Sequence, residues 1–278
     1  VIEGAPADRV RGKARLRDGG VLAYEIDGRL DGRVPLLLIR PLGGTMALWG
    51  PFRDALAQAC PIVAFDSRGT GGSSADSGWP STRRIARDAV ALLDHLEVGR
   101  AHVFGISLGG MAATWMGIDA GVRVATLCIA SAPPRGLDLT RAGARRTIAM
   151  AACFAHREGE VEARLVHRTL TGAFRREHPE RVQWIEATIR AQPTSRRSLL
   201  KHVAAGAMHD ARRELHRIAA PCLVLAGAND ELVGLAAPRR LADGIAGASF
   251  DVIEGAGHDV TLERPEVCAD RVRRFVRG

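Results

Sequence analysis

The stretch that most restricts how this chain can fold is His102-Val103-Phe104-Gly105-Ile106-Ser107-Leu108-Gly109-Gly110. A short apolar strand enters G-x-S-x-G, and Met111-Ala112-Ala113-Thr114-Trp115-Met116 continue as a helix. A strand that becomes a helix at one residue holds that residue in a strained conformation and pushes its side chain outward. Glycines on either side are then required, because a Cβ at Gly105 or Gly109 would collide where strand and helix pass. The spelling is that of a nucleophile elbow, with Ser107 as the presented hydroxyl. Leu108 opens the helix, and its N–H has no partner in the preceding turn.

The rest of the chain supplies strands around this one. Residues 12–29 read as a hairpin, with Ala14–Arg17 and the alternating Val21–Ile26 joined at Gly19-Gly20. Val34–Ile39 is a continuous apolar run, the mark of a strand covered on both faces. It is followed by Arg40-Pro41-Leu42-Gly43-Gly44-Thr45 and a helix over 47–59. Pro61–Phe65 is the next strand, and Ser81 caps a helix that runs to Leu96. After the elbow come the buried strand Val124–Ala130, then Cys222–Gly227, a helix over 235–245, the strand Ser249–Ile253 and a helix over 262–276. Strands alternating with helices predict an α/β fold with a mostly parallel, doubly wound sheet. Between Pro133-Pro134 and residue 219 the alternation stops, and Arg-rich amphipathic helices are expected over 141–156, 160–171, 179–191 and 196–217. The expected division is a core of 1–134 and 219–278, with 135–218 inserted as a helical cap.

Composition narrows the class further. With 46% hydrophobic residues over 278 positions there is material for a sizeable core. No run of about 18 apolar residues is present, so no membrane span is predicted. Val1–Pro6 lacks the basic segment and apolar run of a signal peptide. Five scattered cysteines form no C-x-x-C pair, which points to free thiols, a reducing cytoplasm and no disulfide frame or zinc site. The net charge of +8 comes almost wholly from arginine, Lys13 and Lys201 being the only lysines. No basic cluster interleaved with aromatics accompanies it, so no nucleic-acid partner is expected, although the field favours anionic small molecules.

Three residues at the ends of parallel strands can do chemistry together. A serine hydroxyl is a poor nucleophile without a base. His258, in Gly255-Ala256-Gly257-His258 after the last strand, can take and return its proton. Asp230, after Cys222–Gly227, can fix the imidazole tautomer. The order Ser, Asp, His is the one expected around a G-x-S-x-G elbow. An oxyanion needs two N–H donors, and Leu108 offers one. Pro41 has no N–H, so Leu42 is the expected second donor, with Gly43-Gly44 allowing close approach. Arg40 either braces that loop or, with Gly43 and Trp184, reaches substrate. Asp66 and Arg68 are expected to tie a loop together, and Trp49, Trp79, Trp115 and Trp184 to be packing residues. No metal-binding pattern and no dinucleotide fingerprint occur, so neither metal nor cofactor is expected.

The motifs P-L-G-G-T-M-A-L-W (41–49), F-D-S-R-G-T-G-G-S-S (65–74), G-I-S-L-G-G-M (105–111), L-A-G-A-N-D (225–230) and G-A-G-H (255–258) together resemble those of capped members of the α/β-hydrolase superfamily. The first of these, with L-L-D-H-L at 92–96 and the elbow, is most similar to 3-oxoadipate enol-lactonases and carboxylesterases. Where many relatives carry His-Gly, this chain has Arg40-Pro41. The resemblance implies a serine hydrolase acting on a small carboxylic ester or lactone, an anionic one being favoured by the Arg-rich cap, in a cytoplasmic monomer or homodimer. Thioester hydrolysis, C–C hydrolysis, perhydrolysis, and a cyclase or binding protein using the capped pocket remain open alternatives.

Overall fold

The computed structural model describes residues 9–57, 59–75, 78–136, 148–156 and 160–277. Its centre is an eight-stranded sheet in the order β1-β2-β4-β3-β5-β6-β7-β8. The strands are β1 (Val10–Arg15), β2 (Val21–Asp27), β3 (Leu36–Ile39), β4 (Ile62–Phe65), β5 (Ala101–Ile106), β6 (Val124–Ala130), β7 (Cys222–Gly227) and β8 (Ser249–Ile253). Only the pairings of β2 with β1 and with β4 are antiparallel; the other five are parallel. The hairpin forms as expected, but its first strand begins at Val10 and stops at Arg15, because Leu16 turns away to bond Gly20.

Both faces of the sheet's centre are covered, which explains the unbroken apolar runs of β3, β4 and β7. Leu37 and Ile39 of β3, Val103 of β5, and Leu127 and Ile129 of β6 join one core. Their neighbours Leu36, Leu38, Phe104, Ile106, Cys128 and Ala130 join the other. α2 (Thr82–His95) and α3 (Leu108–Asp119) pack into the first core; α1 (Gly50–Ala57) and the last helix pack into the second. Ser81 caps α2 as expected, its Oγ accepting from the Arg84 N–H at 3.1 Å. α1 is shorter than its expected span because Met46–Trp49 forms a 3-10 turn that bends at Gly50, φ 39°.

Between β6 and β7 no strand occurs among the described residues. Helices there are α4 (Glu160–Thr169), α5 (Gly172–Glu177), α6 (Pro179–Ala191) and α7 (Arg196–Ala207). Most of the expected helix over 141–156 lies outside the described residues; 148–153 are helical. The expected helix over 196–217 ends at Ala207, and Leu215–Arg217 is a separate 3-10 turn. After β7 come α8 (Ala236–Asp243), α9 (Val260–Glu263) and α10 (Pro265–Arg277). The expected final helix is thus two, broken at Arg264 just before Pro265, where a proline favours a new start over continuation. No described helix is long and apolar enough to cross a membrane. All five cysteines are free, four buried and Cys60 half-buried.

Candidate active site

Ser107 stands between β5 and α3 with φ 55° and ψ −118°, a backbone conformation an L-residue holds only under constraint. The constraint is visible on both sides. A Cβ on Gly105 would lie 2.2 Å from the Gly109 carbonyl oxygen, and one on Gly109 would lie 2.1 Å from that of Ile39. The helix start therefore presses on the end of β3, and the serine is turned out of the sheet.

Two loops from distant parts of the sequence meet that hydroxyl. The loop after β8 brings His258, whose Nε2 lies 2.8 Å from Ser107 Oγ. The loop after β7 brings Asp230, whose Oδ2 lies 2.8 Å from His258 Nδ1. A buried carboxylate only accepts, so Nδ1 carries the proton and Nε2 is left to accept from the serine O–H. Asp230 is itself fixed, its Oδ1 accepting from the N–H groups of Leu232 (2.8 Å) and Val233 (2.9 Å).

The electrostatics suit a proton relay. Burial acts most strongly on Asp230 and favours its neutral form, but His258 and the two backbone donors outweigh it and lower its pKa. Burial likewise disfavours the His258 cation; the Asp230 charge and hydrogen bond, with Asp259 and Glu263 behind, prevail and raise the pKa. The pair thus favours a charged imidazolium over an isolated buried one.

Leu108 follows the serine at the first position of α3, and Leu42 lies in the loop after β3. Neither backbone N–H donates to another group among the described residues. Gly43, expected beside substrate, has its N–H committed to His202 Nδ1 at 3.2 Å. Arg40 reaches inward rather than toward a pocket, with its side chain 1% exposed. Its Nη2 donates to Asp259 Oδ2 at 3.3 Å, its Nη1 to Thr261 Oγ1 at 3.4 Å, and its guanidinium stacks over Trp49. Of the two roles open to it in the sequence, bracing is the one its surroundings match. Trp184 packs over Gly50, where a Cβ would lie 2.5 Å from its ring, and belongs to an apolar cluster with Leu48 and Phe174. Trp49 and Trp115 are buried, but Trp79 is 77% exposed and packs little. Asp66 accepts from the Met46 and Gly72 N–H groups, and Arg68 donates twice to Asp88, so both tie loops.

Several residues that matter here carry no signal in the sequence. Glu162 of α4 is buried beside the Gly43 loop, and that burial pushes its pKa up to about 7. Glu263 accepts from the Thr171 N–H (3.0 Å), the Thr171 Oγ1 (2.7 Å) and the Gly257 N–H (3.1 Å), while the Thr169 carbonyl accepts from His258 and Asp259. These bonds fasten the α4–α5 junction to the loop that carries the imidazole. A cleft of about 1420 Å³ opens along the same junction, lined by Cys153, Arg168, Thr171, Asn229, Leu232 and His258 among others.

Residues 36–271 match the model of the alpha/beta hydrolase family. The chain belongs to that family. As an α/β-hydrolase it is an enzyme, and its relatives are hydrolases. A putative carbamate hydrolase RutD from Variovorax paradoxus (strain S110) is 31% identical over 241 residues, 85% of this chain and 89% of that protein. Among solved structures, a hydrolase from Pseudomonas aeruginosa PA01 superimposes with a TM-score of 0.83 at 30% identity, covering 96% of this chain and 98% of that one. The enol-lactonase from Burkholderia xenovorans LB400 gives 0.83 at 25% identity, with 96% and 100% covered.

Proposed function

We propose that this α/β-hydrolase cleaves small carboxylic esters or lactones through an acyl-serine. The observation that carries the proposal is the unbroken chain Ser107 Oγ–His258 Nε2–His258 Nδ1–Asp230 Oδ2, with 2.8 Å at each hydrogen bond. Ser107 attacks the carbonyl carbon while His258 takes the hydroxyl proton. The oxyanion that forms is held by the N–H groups of Leu42 and Leu108. Collapse breaks the acyl–oxygen bond, and the leaving alkoxide takes the proton from His258. Water then attacks the acyl-serine, gives its proton to His258, and the acid departs as Ser107 is reprotonated. Asp230 keeps the imidazole in the required tautomer and stabilises its cation.

On this reading residues 1–134 and 219–278 are the catalytic core and 135–218 form a cap over it. The cleft between them takes an anionic substrate. Its wall carries Arg164, Arg168 and Arg175, all exposed and unpaired among the described residues, alongside Glu160, Glu231 and a Glu186 already bonded to His167 and Arg190. A carboxylate placed there would be drawn in before the ester or lactone carbonyl meets Ser107.

The test is a substrate panel of p-nitrophenyl esters of increasing acyl length, lactones with and without a free carboxylate, and a carbamate, this last prompted by the Variovorax relative's name. The proposal expects turnover of esters or lactones, higher kcat/KM for the carboxylate-bearing members, and covalent labelling of Ser107 by a fluorophosphonate. Absence of labelling with the relay intact would overturn it.

A further inference from the structure

The loop that carries Leu42 contains two adjacent glycines and has few side chains of its own to hold it. It is held from outside. His202 of α7, 6% exposed, accepts from the Gly43 N–H at Nδ1, 3.2 Å. An acceptor Nδ1 puts the proton on Nε2, and Nε2 donates to the Arg68 carbonyl at 3.0 Å. One neutral imidazole thus bridges the loops that follow β3 and β4. The other polar end of Gly43 is held too: its carbonyl accepts from Thr194 Oγ1 at 2.8 Å, and the Thr194 N–H donates to Glu162 Oε2 at 3.0 Å. Gly43 has φ +73°, and a Cβ there would lie 2.6 Å from Leu199 Cδ2, so a third residue of the insertion packs directly on it. A glycine whose two flanking peptides are both unbonded rotates at little cost; one whose flanking peptides are both hydrogen-bonded does not.

We infer that His202 is a positioning residue: from the insertion, it fixes the Leu42–Gly43 peptide and with it the direction of the adjacent Leu42 N–H. This rests on the reading of Leu42 as an oxyanion donor. His202 touches no reacting atom. Its contribution is orientation, so its loss weakens transition-state binding while leaving ground-state binding nearly intact. The insertion is then part of the catalytic machinery, because the second donor is aimed only when α7 is seated.

The experiment compares His202→Ala, His202→Asn and His202→Gln in the full chain. Asparagine places its Oδ1 where Nδ1 was and keeps an acceptor for Gly43; glutamine reaches toward Arg68 and does not. Two readouts are taken: kcat and KM for a p-nitrophenyl ester, and the rate at which Ser107 is phosphonylated by a fluorophosphonate. In the second, Oγ displaces fluoride from phosphorus, His258 takes the hydroxyl proton, and the phosphoryl oxygen enters the hole. Alanine and glutamine variants should lose about 10- to 100-fold in kcat and in phosphonylation, less than outright removal of an oxyanion donor, with KM moving under about threefold. The asparagine variant should recover most of that loss. Thr194→Val, nearly isosteric and less disruptive, should lose kcat in the same direction by a smaller factor.

An alanine variant within about twofold of the parent in both readouts would overturn the inference. So would an asparagine variant no better than alanine, or a loss that falls on KM instead. Failure of the underlying reading looks different: the parent itself would not be phosphonylated, and the inference would fall with it.

Discussion

Arg40 and Asp259 stand 219 positions apart in the sequence and form a buried hydrogen-bonded ion pair, Nη2 to Oδ2, 3.3 Å. One directly follows β3; the other directly follows His258. The pair therefore joins the Leu42 loop to the imidazole loop. Arg40→Met should destabilise the fold by roughly 3–5 kcal/mol, because Asp259 would be left charged and buried without its partner. Adding Asp259→Asn should restore part of this. Urea denaturation measures both, and an unchanged midpoint for Arg40→Met would contradict the bracing role.

Ser107→Ala should remove fluorophosphonate labelling and nearly all ester turnover. Residual acceleration of about 10³-fold over water is the most that binding and backbone donors would leave. Full turnover in this variant would displace Ser107 as nucleophile.

The pH profile follows from the direction of the His258 shift. The base must be neutral to accept the serine proton, so kcat/KM should rise with pH through a His258 pKa above its ordinary 6.5. In Asp230→Asn the main influence raising that pKa is gone and burial is opposed only by the weaker pull of Asp259 and Glu263, so the limb should move to lower pH while the plateau falls by about 10⁴-fold. The same shift affects stability. A histidine with a raised folded-state pKa contributes stability that is fully present below its unfolded pKa and is lost as pH rises through the folded value.

Glu162 runs the other way from an ordinary carboxylate. Burial moves it from 4.5 to about 7, so the folded state holds its proton more tightly than the unfolded chain. Stability from this group is greatest below pH 4.5 and is lost as pH climbs toward 7. At ~1.4 kcal/mol per unit the loss is roughly 3 kcal/mol. Glu162→Gln should remove that slope in unfolding free energy measured between pH 4.5 and 8; an unchanged slope would contradict it.

Leu42→Ala should leave kcat within about threefold of the parent, since the proposed contribution is a main-chain N–H that alanine also has. A fall of about 10²-fold, read from steady-state ester hydrolysis, would instead assign the leucine side chain a direct part in the pocket.

What the sequence disclosed and what it hid divide along a physical line. The elbow was legible because its geometry tolerates almost nothing but glycine beside Ser107, and steric exclusion leaves a local spelling. The sheet was legible because strands covered on both faces cannot afford polar residues, as Leu36–Ile39 and Cys222–Gly227 show. Asp230 was nameable because it follows such a strand, and His258 because it ends the Gly-Ala-Gly-His run after the last strand. The inward course of Arg40 was not decidable, since its partner is a single aspartate far along the chain and no periodicity connects them. His202 could not be told from the other histidines of the Arg-rich helices, because its bonds go to main-chain atoms that any residue supplies. Trp79 was misjudged for a related reason: a large aromatic is usually buried, and nothing in its neighbours announces that this one faces water.

The bonds of Thr169 and Thr171 to the segment around Gly257 and Glu263 set the mechanics of the insertion. Thr169, Thr171 and Gly257 also line the cleft that reaches His258, so a strain on this stitching would be felt first by the imidazole, as a misplaced proton acceptor rather than a blocked door.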